Sequence, residues 1–159
     1  TGSMRRRNRS ILENGVMAES LVRLAYLSRR GEFHDEALRT LECFAGDYKE
    51  YGYYVAGYGR AVDLIFYEPL FFTIVGDRDA AASVELRRTA LSTYVPSRIV
   101  QMLDPRHDPV LLSRSGLVVE AGPVAYLTVG RETRAIARTP AELLEAIVRI
   151  ERERRQSLR

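Results

Sequence analysis

The feature that most constrains this chain is a continuous apolar run from Leu70 to Val75, preceded by Pro69 and stopped by Gly76 and Asp77. The run is rich in β-branched and aromatic residues and shows no alternation of polar and apolar positions. A short run of this kind is typical of a strand buried on both faces. Such a strand needs covering layers on both sides, so we predict that it opens a small α/β sheet layer.

Before this strand, apolar residues recur every three or four positions, which predicts a helical N-terminal part. The short connections between the helices favour antiparallel hairpins. Three helices with one inward face each are expected: 14–29 with Met17, Leu21, Leu24 and Ala25; 33–48 with Ala37, Leu38, Leu41, Phe44 and Ala45; and 53–67 with Val55, Tyr58, Val62, Ile65 and Phe66.

After the strand, helical and strand-like segments alternate. The expected elements are a helix 80–91 capped by Asp77 or Asp79, strands 98–103, 123–129 and 133–137, a helical turn 109–112, and a helix from 140 to about 154 that buries Leu143, Leu144, Ile147 and Ile150. Thr139, Pro140 and Glu142 form a capping box at the start of the last helix. The predicted class is α+β, with a helical part 14–67, a small α/β part 68–155, and tails 1–13 and 156–159.

The composition is that of a soluble globular protein, with 46% hydrophobic and 28% charged residues among 159. No apolar run approaches the roughly 20 residues that cross a bilayer, and no apolar segment of a signal peptide follows the basic N-terminus. We therefore expect a cytoplasmic protein with no membrane partner, and we expect residues 1–3 before Met4 to be a cloning remnant. The only cysteine, Cys43, excludes an intrachain disulfide.

The net charge of +3 comes from arginines that cluster near the two ends of the chain. The clusters are Arg5, Arg6, Arg7 and Arg9, and Arg149, Arg152, Arg154, Arg155 and Arg159. They fit either an acidic or nucleic-acid partner or solvated chain ends. Glutamates interleave the second cluster and no aromatic residue accompanies either one, so we favour solvated ends and expect no nucleic-acid partner.

The junction of Gly76, Asp77 and Asp79 is the first candidate ligand site. Ligands of open α/β sheets collect at the carboxyl ends of strands, beside helix N-termini. However, the chain has no phosphate-binding glycine motif, and the two carboxylates would repel a phosphate. We interpret them as helix-capping groups, and we expect no metal or other cofactor because neither His34 nor His107 stands at a triad or metal spacing.

A tyrosine-rich segment is the second candidate site. It contains Tyr48, Tyr51, Tyr53, Tyr54 and Tyr58. Amphipathic rings such as those of Tyr54 and Tyr58 can line a groove for a sugar or a peptide, although they more commonly cover the end of a helical layer.

Three blocks of sequence, in this order, resemble a known family. They are 14–19 with 21–27, Pro69-Leu70 with 75–77, and 124–126 through 139–143. The chain resembles the C-terminal region of the large thioredoxin-domain-containing proteins, the spermatogenesis-associated thioredoxin-domain protein group. Those proteins join a thioredoxin-like domain to an (α/α)-barrel similar to N-acylglucosamine 2-epimerases and a small α/β tail.

The resemblance implies that the N-terminal helices are the last hairpins of an α/α toroid. The chain departs from the family's sequence pattern at two places. Of the family's Pro-Ser-Gly-Asn-Ser segment only Asn14 remains, a candidate ligand-binding residue, and the family's Cys-x4-Cys pair is replaced by Thr128 and Thr133. We therefore expect a non-catalytic module with an open apolar helical face, which docks on missing helices or self-associates. A helical-hairpin module that binds a peptide, and an enzyme acting on a sugar or phosphorylated metabolite near Gly76–Asp79, remain as alternatives.

Overall fold

Residues 10–157 are described by the computed structural model and divide between a helical unit that ends at Tyr67 and an α/β unit that starts at Glu68. The helical unit contains α1 (Ile11–Ser28), α2 (Glu32–Glu42), a 3-10 segment (Tyr48–Tyr54) and α3 (Val55–Phe66). The α/β unit contains β1 (Leu70–Val75), α4 (Ala81–Ser92), β2 (Arg98–Leu103), α5 (Pro109–Ser115), β3 (Val124–Val129), β4 (Glu132–Ala137) and α6 (Pro140–Ser157). The α+β class with N-terminal helical hairpins is confirmed. The expected remnant 1–3, the first arginine cluster and Arg159 lie outside the described residues.

The helical unit is built on a close approach of α1 to α3. A Cβ atom on Gly15 would lie 2.7 Å from the backbone nitrogen of Tyr58, so only glycine fits at this point of α1. Glu19 on α1 also binds Arg60 on α3 at 2.8 Å and Arg23 at 2.9 Å. Around this contact the core collects Ile11, Ala18, Val22, Ala37, Leu41, Phe44, Tyr58, Ala61 and Leu64.

The expected inward face of α1 is wrong for Met17 and Leu24, whereas Leu21 is half-buried and packs against the core. Met17 and Leu24 are 57% and 42% exposed, whereas Ala18 and Val22 are buried. The reason is tertiary, because Gly15 and Ala18 carry little bulk and therefore allow α3 to approach their side of α1. Phe66 on α3 is exposed and not inward, and Ala45, expected on the second helix, lies exposed in the turn after α2.

The tyrosine-rich entry to α3 is a 3-10 segment and not part of the α-helix. Gly52 has φ 56° and ψ −131°, a conformation that favours glycine, and it separates the two halves of the segment. As a result α3 begins at Val55, two residues later than expected. α2 ends at Glu42, six residues earlier than expected, and a turn follows it.

The sheet has the strand order β2-β1-β3-β4. β2 runs parallel to β1, with Leu70 opposite Arg98, and β3 runs antiparallel to β1, with Leu70 opposite Val129. Every residue of β1 is buried, as the uninterrupted apolar run predicts. β4 pairs antiparallel with β3 and carries a register shift beside Leu127 and Thr128.

Each face of the sheet has its own apolar cluster. One cluster joins the strands to α4 and α6 and contains Leu70, Phe72, Ile74, Leu86, Ala90, Leu127, Leu143, Ala146, Ile147 and Ile150. The other joins Val75, Leu103, Leu112, Val124 and Tyr126. The expectation for Leu144 is wrong, since it is 44% exposed and the inward place on α6 belongs to Ala146.

Candidate functional site at the carboxyl ends of the first two strands

The carboxyl ends of β1 and β2 lie side by side because the two strands are parallel and neighbouring. The loop after β1 begins with Gly76, whose backbone nitrogen donates to the carbonyl of Leu103 at 3.1 Å. The loop after β2 begins with Asp104. The expected ligand edge of the sheet therefore consists of two loops, one after β1 and one after β2.

Asp104 is the central residue of this edge. It is 1% exposed. Its carboxylate accepts hydrogen bonds from the backbone nitrogens of Arg106 at 2.8 Å and Arg78 at 3.1 Å. The Nδ1 atom of His107 lies 3.2 Å from the same carboxylate. Asp104 thus joins the loop after β1 to the loop after β2.

These contacts hold the pKa of Asp104 well below the ordinary aspartate value. The backbone N–H groups of Arg106 and then Arg78 have the largest effects, and His107 adds to them, while desolvation acts in the opposite direction. Hydrogen bonds donated to a carboxylate stabilise its charged form. Asp104 is therefore an ionised, bonded carboxylate and lacks the raised pKa that suits a general acid near neutral pH.

Arg78 and Asp108 complete the same network. The guanidinium of Arg78 lies 3.5 Å from Asp104 and 3.3 Å from Asp108. The carboxylate of Asp108 also accepts the backbone N–H of Asp104 at 3.0 Å. The side chains of Asp104 and Asp108 are thus bound to Arg78, and Asp104 also to His107.

Of the residues predicted at this edge, Gly76 has a packing role. A Cβ atom there would lie 2.9 Å from the Cβ atom of Pro123 and 3.0 Å from the hydroxyl of Ser83, so a side chain does not fit. Asp77 and Asp79 are exposed. Asp77 accepts the backbone N–H of Asp79 at 2.9 Å within the loop.

The expectation that Asp77 or Asp79 caps α4 is wrong. The N-cap residue is Ala80, and no side chain bonds the helix there. Among residues 10–157, no group of three histidine, cysteine, aspartate or glutamate side chains is arranged to hold a metal ion.

The tyrosine-rich segment divides into a buried part and an exposed part. Tyr58 is 9% exposed. It stacks on Tyr48 with ring centroids 5.8 Å apart and donates to the carbonyl of Leu41. Tyr53 and Tyr54 are 79% and 48% exposed, with their ring centroids 4.1 Å apart. The hydrogen bond between their hydroxyls raises the pKa of Tyr53.

Asn14, the remaining candidate, serves its own helix. Its side-chain amide donates to the carbonyl of Ser10 at 2.8 Å, and the Ser10 hydroxyl accepts the backbone N–H of Glu13. Asn14 is half-buried in the first turn of α1, so its one described hydrogen bond is local.

Sequence reasoning missed Asp104, the one buried carboxylate of the edge. The signal was present, since an aspartate directly follows an apolar strand that is parallel to β1. Its significance depends on strand order, because only neighbouring parallel strands bring their carboxyl ends together.

No protein-family model matches the chain, and neither a curated protein nor a solved structure matches it. Within residues 10–157, none of the helices is both long and apolar enough to cross a membrane.

Proposed function

We propose that the chain is a non-catalytic docking module whose helical unit packs on further helices of a larger protein. The observation that carries the proposal is the second apolar side of α1. Leu12, Val16, Met17 and Leu24 are 46%, 55%, 57% and 42% exposed. Val16, Met17 and Leu24 lie on the side of α1 that faces away from the buried side, which contains Ile11, Ala18 and Val22. Leu12 lies at the edge between the two sides, with its Cδ1 atom 4.0 Å from where a Cβ atom on Gly57 would be.

A helix with apolar residues on both sides is ordinarily buried on both sides. In the helical unit α2 and α3 cover only one side of α1. Burial of apolar surface contributes about 25 cal/mol per Å², so four large apolar side chains provide a driving force for helix packing. The occupant that we propose is a neighbouring helical hairpin of the α/α toroid that the family resemblance implies.

Two features of the α/β unit support the same proposal. Four side chains at the carboxyl ends of β1 and β2 bind one another, which suits a structural loop connection better than a catalytic site; they are Arg78, Asp104, His107 and Asp108. In addition, Thr128 and Thr133, where the resemblance implies a cysteine pair, are opposed residues of the β3–β4 ladder. Two cysteines in such a ladder would be close enough to pair, so the geometry fits the resemblance.

We further propose a cytoplasmic location, which a single cysteine in 159 residues fits because disulfides are rare in that compartment. The size of the endogenous polypeptide, read by immunoblot from source cells, tests the natural setting. A band several hundred residues larger than the 18.1 kDa of this chain is expected. A band at 18.1 kDa would instead require a separate partner or self-association.

The exposed side of α1 is tested by the oligomeric state of the isolated chain. Without the neighbouring hairpin, a second copy should cover the apolar side, so sedimentation velocity should show concentration-dependent dimers. The double variant Val16→Glu/Met17→Glu should be monomeric over the same range, because charges at these positions oppose burial of α1.

Val110→Glu is the matched control, since Val110 is 62% exposed and lies on α5. This variant should dimerise as the wild type does. A wild-type chain that remains monodisperse and monomeric at high concentration would contradict the proposal, as would equal dimerisation of all three proteins.

A second candidate function is suggested by the pair Tyr53 and Tyr54. Adjacent exposed tyrosine rings are typical of surfaces that bind extended proline-rich peptides. A labelled ten-residue polyproline peptide should then bind the wild type, and Tyr53→Ala/Tyr54→Ala should abolish binding without unfolding the chain. Equal anisotropy of the peptide with both proteins would exclude this function.

A further inference from the structure

A shallow groove of about 530 Å³ lies between the residues that follow α4 and the C-terminal half of α6. Its apolar part consists of Tyr94, Ile147 and Val148. Its charged part consists of Glu151, Arg152 and Arg155. The groove belongs entirely to the α/β unit and shares no residue with the loops after β1 and β2.

The apolar part of the groove is open to solvent. Tyr94 is 85% exposed and Val148 is 58% exposed. Leu144, one helical turn before Val148, is 44% exposed and extends the apolar surface along α6. Exposed apolar side chains that lie together mark interaction surfaces more often than isolated ones do.

The charged part of the groove, counted together with the neighbouring Arg154, has an excess of two positive charges. Glu151 is neutralised by Arg154 at 2.9 Å. No ion pair links Arg152 or Arg155 to a carboxylate within residues 10–157. Both arginines are exposed, and they lie on the groove beside Val148 and Tyr94. A complementary ligand therefore carries carboxylates next to an apolar side chain.

We propose that this groove binds an acidic peptide segment of a partner protein, which places an apolar side chain against Val148 and Tyr94 and its carboxylates on Arg152 and Arg155. Arginine and carboxylate form paired, charge-assisted hydrogen bonds, and tyrosine and arginine are the residues that dominate binding at protein interfaces.

The groove suits a peptide better than the other anionic partners. Sites for single-stranded nucleic acid combine a basic track with several stacking aromatic residues, and this groove offers one tyrosine and two unpaired arginines. Small-molecule pockets enclose most of their ligand, whereas this groove leaves Tyr94 almost fully exposed. Anionic membrane surfaces attract clusters of four to eight basic residues.

Selection from a library of random twelve-residue peptides displayed on phage, with the full chain immobilised, tests the proposal. We expect enrichment of peptides that combine two or more carboxylates with Leu, Phe or Trp. Their affinity, measured by fluorescence anisotropy, should fall at least tenfold in Arg152→Glu/Arg155→Glu because attraction becomes repulsion. It should also fall about tenfold in Tyr94→Ala, since a central contact is removed.

Arg131→Glu is the matched control, because Arg131 is an exposed arginine in the turn between β3 and β4. It should bind the selected peptides as the wild type does, and circular dichroism should be equal for all variants. Failure to enrich acidic peptides, or equal affinity of the groove variants and the wild type, would overturn the proposal. Two further assays test other partners, namely co-sedimentation with phosphatidylserine vesicles and binding of labelled oligodeoxythymidylate. If no acidic peptide is enriched and either interaction is lost in Arg152→Glu/Arg155→Glu, the groove binds a different partner and the proposal is overturned.

Discussion

The carboxylate of Asp104 accepts the backbone N–H of Arg78 at 3.1 Å, across the gap between the loops that follow β1 and β2. This hydrogen bond joins residues 26 positions apart, and the nitrogen of Arg106 bonds the other oxygen of the same carboxylate. The two loops are held together by a buried charge that is satisfied by backbone donors. A buried carboxylate of this kind stabilises the structure only while it is ionised.

Asp104→Asn should therefore lower the melting temperature by several degrees Celsius. The amide is nearly isosteric, but its nitrogen cannot accept a hydrogen bond, so one of the two backbone donors is left unsatisfied. Thermal unfolding followed by circular dichroism measures the effect. Asp79→Asn is the control, since Asp79 is exposed, and an equal loss in both variants would contradict this role of Asp104.

The same residue predicts a pH dependence of stability. The folded-state pKa of Asp104 lies below the unfolded value of about 3.9. Its contribution to the free energy of unfolding is therefore complete above about pH 3.9 and is lost as the pH falls through the folded-state pKa. The urea midpoint of the wild type should decrease more steeply below about pH 4 than that of Asp104→Asn. Parallel pH profiles of the two proteins would show that Asp104 makes no ionisation-linked contribution.

The α1–α3 contact predicts opposite effects for two glycines. Gly15→Ala places a Cβ atom 2.7 Å from the Tyr58 nitrogen and should destabilise the chain by about 1–3 kcal/mol, because backbone cannot move aside cheaply. Gly59→Ala on α3 meets nothing within 4 Å and should stabilise it by about 0.5–1 kcal/mol. Urea denaturation measures both, and a neutral Gly15→Ala would show that α1 and α3 pack less closely.

Tyr58 and Tyr53 should respond differently to truncation. Tyr58→Ala removes a buried ring that packs on Phe44 and Tyr48, and it should cost about 3–5 kcal/mol. Tyr53→Ala removes a ring that is 79% exposed, and it should change the free energy of unfolding by less than about 0.5 kcal/mol. Chemical denaturation distinguishes them, and similar losses at both positions would mean that the exposed tyrosine pair also supports the core.

The opposition of Thr128 and Thr133 predicts a disulfide. Opposed residues of an antiparallel ladder have Cα atoms about 4.5–5.5 Å apart, which lies within the range for a disulfide. In a Cys43→Ser background, Thr128→Cys/Thr133→Cys should oxidise in air to an intramolecular disulfide, seen as a mass loss of about 2 Da and a gain of about 2 kcal/mol in stability.

Thr128→Cys/Arg138→Cys in the same background is the control for that disulfide. Arg138 follows Ala137, which opposes Ala125, so it lies about 13 Å along the ladder from Thr128, beyond the reach of a disulfide. Equal oxidation of the two pairs would contradict the register of β3 and β4.

The strands were largely predictable because their signals are local. β1 and β2 have the predicted ends, since each is a short, mainly apolar segment closed by residues that favour turns. The capping residues before α6 also have a local effect, because Thr139 accepts the backbone N–H of Glu142 at 3.2 Å. The Glu142 side chain, however, bonds the backbone of Arg138 and not that of Thr139.

Three features depend on neighbours that are distant in sequence. They are the exposed side of α1, the burial of Ala146 and the burial of Asp104. Met17 and Leu24 continue an apolar period as well as Ala18 and Val22 do, so periodicity alone cannot select between the two sides of α1. The choice is made by Gly15, whose missing side chain allows α3 to come close.

The sequence by itself determined the class of the protein, because strand and helix periods, turn residues and caps are encoded within a few neighbouring positions. The tertiary structure decided which apolar residues are exposed and which polar residues meet. Strand order brings Asp104 beside Arg78, and the proximity of α4 to α6 places Tyr94 beside Arg152. Such contacts depend on packing between elements that are distant in sequence. The free energy of this packing offsets the conformational entropy lost by the whole fold, so local sequence patterns do not encode the contacts.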